Sequence, residues 1–326
     1  MQTFQPIEYH LTRDFSRKMN ATFEFIKQNW KSLGKATLMI AGPPVFIASL
    51  IMGTFFGDVF SVGMTDDPEK SLELFTSATF WLQFLLVMVL LVLSSVMSIA
   101  TINNYILLYE ELKTNNIPTA LVWDRVRTTV WTYLGTVIYF FFSFAAFCFL
   151  IMIPIGLFST LSPVIAVLGV WIFMILVFYL MISVSLTFII RAYEGIGFFD
   201  ALGRSFNLVK GKWWSTFGLI FILYFIMMTI SYIPIFPLYI IMAASAVHNI
   251  STDPTANPFE GEGLSTLTMI LMAIYYMVQL LLSALPNIGI AFQYFNLVEM
   301  KEAKGLMSSI ESFGESSPPT PTDETY

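Results

Sequence analysis

The sequence predicts an all-α polytopic membrane protein: about six transmembrane helices in three repeated hairpins, each hairpin preceded by an amphipathic interfacial helix. Three observations carry this. Hydrophobic residues make up 56% of the 326 and charged residues 12%, with a mean hydropathy of +0.74. A soluble domain carries about a quarter charged residues, so a chain this apolar must place most of its surface in lipid. Six apolar runs, at about 35–57, 77–107, 132–156, 162–190, 216–245 and 264–297, each supply the roughly 20 residues that a bilayer crossing takes. Finally, the connecting segments alternate in charge. Segments 1–35, 108–131, 191–215 and 298–326 hold every Lys and Arg except Lys70, whereas the loops 58–76, 157–161 and 246–263 are acidic. The positive-inside rule then places both termini in the cytoplasm.

Composition also excludes some classes. A net charge of −6 with no Lys/Arg-rich tract gives no footprint for nucleic acid. Cys148 is the only cysteine, so there is no disulfide framework and no paired-cysteine motif. The first thirty residues are polar and amphipathic and do not read as a cleavable signal peptide.

The chain divides into one transmembrane domain, 1–311, and a Ser-, Pro- and acid-rich tail, 312–326, expected to be disordered in the cytosol. Within the domain three units repeat, at about 11–111, 117–194 and 200–299. Phe23, Ile26, Lys27 and Trp30 in the first correspond to Trp123, Val126, Arg127 and Val130 in the second, and to Phe206, Val209, Lys210 and Trp213 in the third. A Trp-x-x-x-Gly step follows each time: Trp30 to Gly34, Trp131 to Gly135, Trp214 to Gly218. All three hairpins enter the membrane from one side, so the repeat is parallel.

The segments ahead of the first and third hairpins show helical periodicity. Phe15, Met19, Phe23, Ile26, Trp30 and Leu33 form one stripe, with Arg17, Lys18, Lys27 and Lys31 elsewhere on the wheel. Leu202, Phe206, Val209 and Trp213 form the same stripe in the third unit, where Asp200 is the expected N-cap. Such helices lie in the interface with their lysines at anionic headgroups. Pro43-Pro44 and Pro286 with Gly289 are expected to bend the first and sixth spans.

Residues 194–214, with the pattern Glu194, Gly195, Ala201, Ser205, Leu208, Lys210, Gly211 and Trp213 ahead of an apolar span, resemble the membrane domain of the glycerophosphoryl diester phosphodiesterase membrane-domain family and its stand-alone six-helix bacterial relatives. The resemblance implies a six-helix bacterial membrane protein, so the expected location is the cell (inner) membrane. That family's phosphodiesterase chemistry resides in a separate soluble barrel for which this chain has no room, so no catalytic residue is carried over.

Candidate sites follow from what lipid forbids. Unpaired polar groups are costly there, so Ser94, Ser98 and Thr101 of the second span, Gln279, Ser283 and Asn287 of the sixth, and Ser183, Ser185 and Thr187 of the fourth should face inward. They either hydrogen-bond between helices or line a polar cavity. Lys27, Trp30, Arg127, Trp131, Lys210, Lys212, Trp213 and Trp214 form a second group, a collar at the basic interface that anchors to lipid or meets a partner protein. His10 and His248 fall on opposite sides of the membrane and cannot share a metal. Asp66, Asp67 and Glu69 lack calcium-loop spacing, and Asn249-Ile-Ser251 fits a glycosylation sequon.

No catalytic, cofactor or metal set is visible. The leading expectation is a non-catalytic scaffold or accessory subunit of a membrane complex. The alternative is a carrier or binder of lipids or other amphiphiles through a polar intramembrane cavity, and an intramembrane enzyme is the weakest reading. Expected partners are membrane lipids with anionic headgroups on the cytoplasmic side and other membrane proteins.

Overall fold

The computed structural model describes residues 5–65, 68–160, 162–241, 243–244, 262–303 and 307. Asp66, Asp67, His248, the 249–251 sequon and the 312–326 tail lie outside them. The described chain is helical, without a strand. Six of its helical stretches are long and apolar enough to cross a membrane, the pattern of a multi-pass membrane protein.

Helix α1 runs from Phe15 to Thr65, through Pro43 and Pro44 without a break in assignment. The amphipathic segment and the first span are therefore one helix rather than two. The short α2 (Pro68–Thr76) leads to α3 (Ala78–Leu112), the second span. Helix α4 (Thr119–Ser159) again joins the pre-membrane segment to its span. A capped start at Ser162, whose hydroxyl accepts from the Val164 N–H at 3.3 Å, opens α5 (Pro163–Ser183).

Only in the third unit is the amphipathic piece a separate helix, α7 (Phe198–Val209), followed by α8 (Trp213–Ser231). Gly211, at φ +81°, makes that separation, since the turn requires a left-handed residue. The N-cap of α7 is Gly197, not Asp200, which sits in the first turn. Helix α8 passes through a 3-10 turn at Ile233–Ile235 and continues over 236–241. The sixth span is α9 (Glu262–Leu282) and α10 (Ala284–Glu302).

Two spans break mid-course, for different reasons. In the sixth, Pro286 has no N–H for the Leu282 carbonyl, and the helix divides at Ser283, just ahead of the proline. In the fourth, α5 ends at Ser183 and α6 (Thr187–Glu194) restarts. Here the Ser205 hydroxyl from α7 donates to the Ser183 carbonyl at 2.7 Å, and the Thr187 N–H goes to Val184 instead.

Helix α1 is the hub, packed along α3 and α9 and touching α4, α8 and α10. Its inward face is not the apolar stripe. Lys18, Thr22, Phe25, Asn29, Leu33 and Ala36 are buried, whereas Phe15, Phe23 and Trp30 are exposed. In α7 Ala201, Ser205 and Leu208 are buried. In α1 the stripe thus turns outward at Phe15, Phe23 and Trp30 but inward at Leu33, while in α7 its members are buried (Val209) or half-buried (Leu202, Phe206), beside small and polar residues that make helix contacts.

Candidate functional site

The end of the bundle that carries the basic residues is held by an aromatic core. Tyr9 stacks on Phe295 with centroids 4.8 Å apart, and Phe25 meets Tyr109 edge-on at 4.9 Å. The Tyr9 hydroxyl donates to the Ile106 carbonyl at 3.0 Å, which straps the N-terminal segment across the bundle. Burial, with Glu110 nearby, pushes the Tyr9 phenol well above its ordinary pKa and keeps it neutral. His10 lies beside it, with Nε2 3.0 Å from the Tyr193 hydroxyl and 3.5 Å from a Glu110 carboxylate oxygen.

Two polar clusters in this end escaped the sequence. Lys18, on the polar side of the predicted wheel, is 2% exposed; its ammonium donates to Gln293 Oε1 at 2.7 Å and Ser215 Oγ at 3.0 Å. Gln293 in turn donates to Thr216 Oγ1 at 2.8 Å. These partners come from α8 and α10, far away in sequence, so no periodicity could reveal them. The second cluster is a clamp. The Arg204 guanidinium bridges Glu194 at 2.5 Å and Glu302 at 2.9 Å, and the Tyr294 hydroxyl donates to Glu194 at 2.6 Å. Its two carboxylate partners raise the Arg204 pKa further.

This clamp explains the motif that carries the family resemblance. Glu194 holds Arg204, Gly195 at φ +68° ends α6, and Ala201, Ser205 and Leu208 are the buried face of α7. In this chain the motif builds a helical corner between α6 and α7.

The collar residues stand at the same end. Lys27, Arg127, Lys210 and Lys212 are exposed, as are Trp30, Trp131 and Trp214, the last at 77%. Lys27 and Arg127 pair within their own helices, with Glu24 at 3.9 Å and Asp124 at 3.0 Å. Trp213 differs: it stacks on Tyr179 at 5.6 Å and donates its indole N–H to the Tyr179 carbonyl.

The polar stripes predicted on the second and sixth spans converge, whereas Ser183, Ser185 and Thr187 of the fourth donate to carbonyls of their own span. Halfway along the spans lies a cleft of about 380 Å³ between α1, α3, α8, α9 and α10. Ser94, Ser98, Gln279, Ser283 and Asn287 line it, with Tyr224, Met227 and Pro286. Thr101 does not. It is buried beyond the cleft, and its hydroxyl donates to the Met97 carbonyl of its own helix.

Most of these groups are satisfied internally. Ser94 donates to the Ala41 carbonyl at 2.8 Å, Ser98 and Ser283 share a bond at 3.0 Å, and the Asn287 amide donates to the Ser283 carbonyl at 2.7 Å. At the break in the sixth span, Ser283 and Asn287 thus bond neighbouring carbonyls, those of Leu280 and Ser283, with side chains that also border the cleft. Gln279 is the exception: within the described structure its carboxamide makes no hydrogen bond, and it borders the cleft half-buried. A volume of this size lined by both carbon and polar groups, with the Gln279 carboxamide and the Tyr224 and Tyr276 hydroxyls without a hydrogen bond among the described residues, suits a ligand that is mostly apolar and carries a polar group.

The family described as Domain of unknown function (DUF7847) matches residues 26–292. No curated protein and no solved structure matches the chain.

Proposed function

We propose that this chain, which belongs to the family Domain of unknown function (DUF7847), binds a lipid or another amphiphile in the mid-membrane cleft, as a carrier or a binder. It acts from the cell membrane with both termini on the cytoplasmic side, where its basic segments meet anionic headgroups. One observation carries the reading: six Ser, Gln and Asn side chains from two facing spans border a volume of about 380 Å³, and the Gln279 carboxamide there lacks an internal partner. An unpaired amide facing hydrocarbon costs about 1–3 kcal/mol, and a ligand polar group removes that cost. The apolar part of the ligand lies against Val45, Leu91, Met227 and Leu280.

The test is purification from the native membrane with mass spectrometry of lipids and proteins. The expected result is one enriched amphiphile class whose occupancy falls about tenfold in Gln279→Leu. Bulk lipid composition in both proteins would overturn the reading. The scaffold reading has its own supporting observation. The most apolar windows of the third and fourth spans are each 6% buried, against 39% for the first and second. These two spans present long faces that lipid or a partner span covers, and a stoichiometric co-purifying membrane protein would support the second occupant.

A further inference from the structure

Beside the first hairpin, at the end of the bundle that bears the basic residues, is a concavity of about 520 Å³, distinct from the cleft. One wall is the segment of α1 from Gln28 to Lys35, and the other is the α3–α4 connection, Asn115 to Thr119. The walls are fastened to each other. Ser32 donates to the Asn115 carbonyl at 2.8 Å, the Asn115 amide donates to the Gln28 carbonyl at 3.3 Å, and the Tyr105 hydroxyl donates to Asn29 Oδ1 at 2.9 Å. The shape therefore exists before anything enters it.

The groups left over are cationic. Lys31 and Lys35 are one helical turn apart on the same face and both line the concavity, and no Asp or Glu does. Like charges at this spacing repel. The nearby acids are engaged elsewhere: Glu24 by Lys27 at 3.9 Å and by Gln28 at 3.1 Å, and Glu111 by Arg125 at 2.8 Å. Among the described residues neither lysine has an ion-pair partner, and the Asn116 carboxamide makes no hydrogen bond. The Lys31 ammonium lies 5.6 Å from the Trp30 ring centroid, which steadies it at the rim.

Two unpaired ammonium groups in a polar concavity focus positive potential, and a lysine pair with an amide is a phosphate-binding set in which each ammonium acts as a point charge. Trp30 marks the depth as the membrane–water boundary, where indole rings settle. We infer that Lys31, Lys35 and Asn116 form a site for a phosphate ester group, supplied by an anionic phospholipid headgroup or by a soluble phosphate compound. The site is independent of the cleft and of the ligand proposed there.

The test uses the full chain in phosphatidylcholine nanodiscs doped with phosphatidylglycerol. Native mass spectrometry reads retained lipid, and calorimetric titration reads inorganic phosphate binding. Retention of phosphatidylglycerol that falls at least tenfold in Lys31→Ala/Lys35→Ala, recovers in Lys31→Arg/Lys35→Arg and is unchanged in Arg17→Ala, an exposed cation of α1 outside the collar, supports a headgroup site. Inorganic phosphate binding with the same dependence on the lysines, and no lipid preference, supports the site with a soluble source. Equal losses in Arg17→Ala and in the double alanine variant would overturn it, because the attraction would then be a diffuse property of the surface. Absence of both probes from the wild-type chain would overturn it as well. Both lysines are exposed, so the variants should fold, and unchanged thermal melting checks that.

Discussion

The two ends of this bundle are built differently. At the basic end α1, α3, α4, α6, α7, α10 and the N-terminal strap all contribute to one continuous core, with Tyr9, Phe25, Tyr109, Tyr294 and Phe295 at its centre. Away from that end the core gives way to small separate clusters, such as Ile235, Leu238 and Met272, or Ala41, Val45 and Leu280. Helices α4 and α5 keep little beyond each other there: Phe141, Phe149, Leu150, Trp171, Ile172 and Ile175 are exposed. The difference follows from the solvent. Where charged residues show that water is present, merging apolar faces is favourable. In lipid it gains little, so helices stay together only where small residues or hydrogen bonds hold them.

The strongest way to break this contrast is to remove a polar partner from the basic end. Gln293→Leu leaves the buried Lys18 ammonium with Ser215 alone, and the expected loss is about 3 kcal/mol, because an abandoned buried charge costs more than a neutral group. A large fall in melting temperature in detergent would show it. Lys18→Met should be the milder change, and the reverse order would mean that the charge itself is needed.

The far half has two tight glycine positions among the described residues, Gly169, where a Cβ would meet Ile155 Cγ1 at 2.9 Å, and Gly53, the tighter. A Cβ on Gly53 would sit 2.6 Å from Met269 Cγ and 2.9 Å from its backbone Cα. Gly53→Ala must therefore push α1 and α9 apart, at an expected cost of about 2 kcal/mol. A change below about 0.5 kcal/mol, read by the same melting assay, would mean that this half yields even at its closest approach.

The smallest effect belongs to the clamp. Arg204 is about a quarter exposed, so solvent screening limits Arg204→Ala to about 1 kcal/mol. Its raised pKa also has a sign. Stability from such a group is present below the unfolded-state pKa and is lost only as pH rises through the higher folded-state value. Arg204 therefore stays charged at any attainable pH, and alkaline melting curves should show no loosening specific to wild type over Arg204→Ala.

How much of this was legible in the sequence depends on the range of the signal. Runs of apolar residues are local, and the six spans follow from them. The serine and amide stripes are periodic, so Ser94, Ser98, Gln279, Ser283 and Asn287 could be placed on inward faces before their meeting was seen. Thr101 shared that periodicity but lies beyond the cleft, since a stripe gives direction and not depth. The amphipathic stripe misled for Lys18, because near it the stripe of α1 turns outward, at Phe15 and Phe23. The break in the fourth span was hidden for a related reason: its cause, Ser205, lies on another helix.

The cleft is bordered both by Ser283, at the break in the sixth span, and by Val45, the residue after Pro43-Pro44 in α1. Those prolines deprive α1 of two backbone hydrogen bonds next to Val45, which lines the cleft. Ala41 and Val45 pack with Leu280 beside the cleft, so α1 and the sixth span both lack backbone hydrogen bonds close to where they border it. The aromatic core lies on one side of it and the smaller clusters on the other. A bend at either proline step would change the volume of the cleft. A molecule lodged there would act as a wedge, fixing the angle between the two halves.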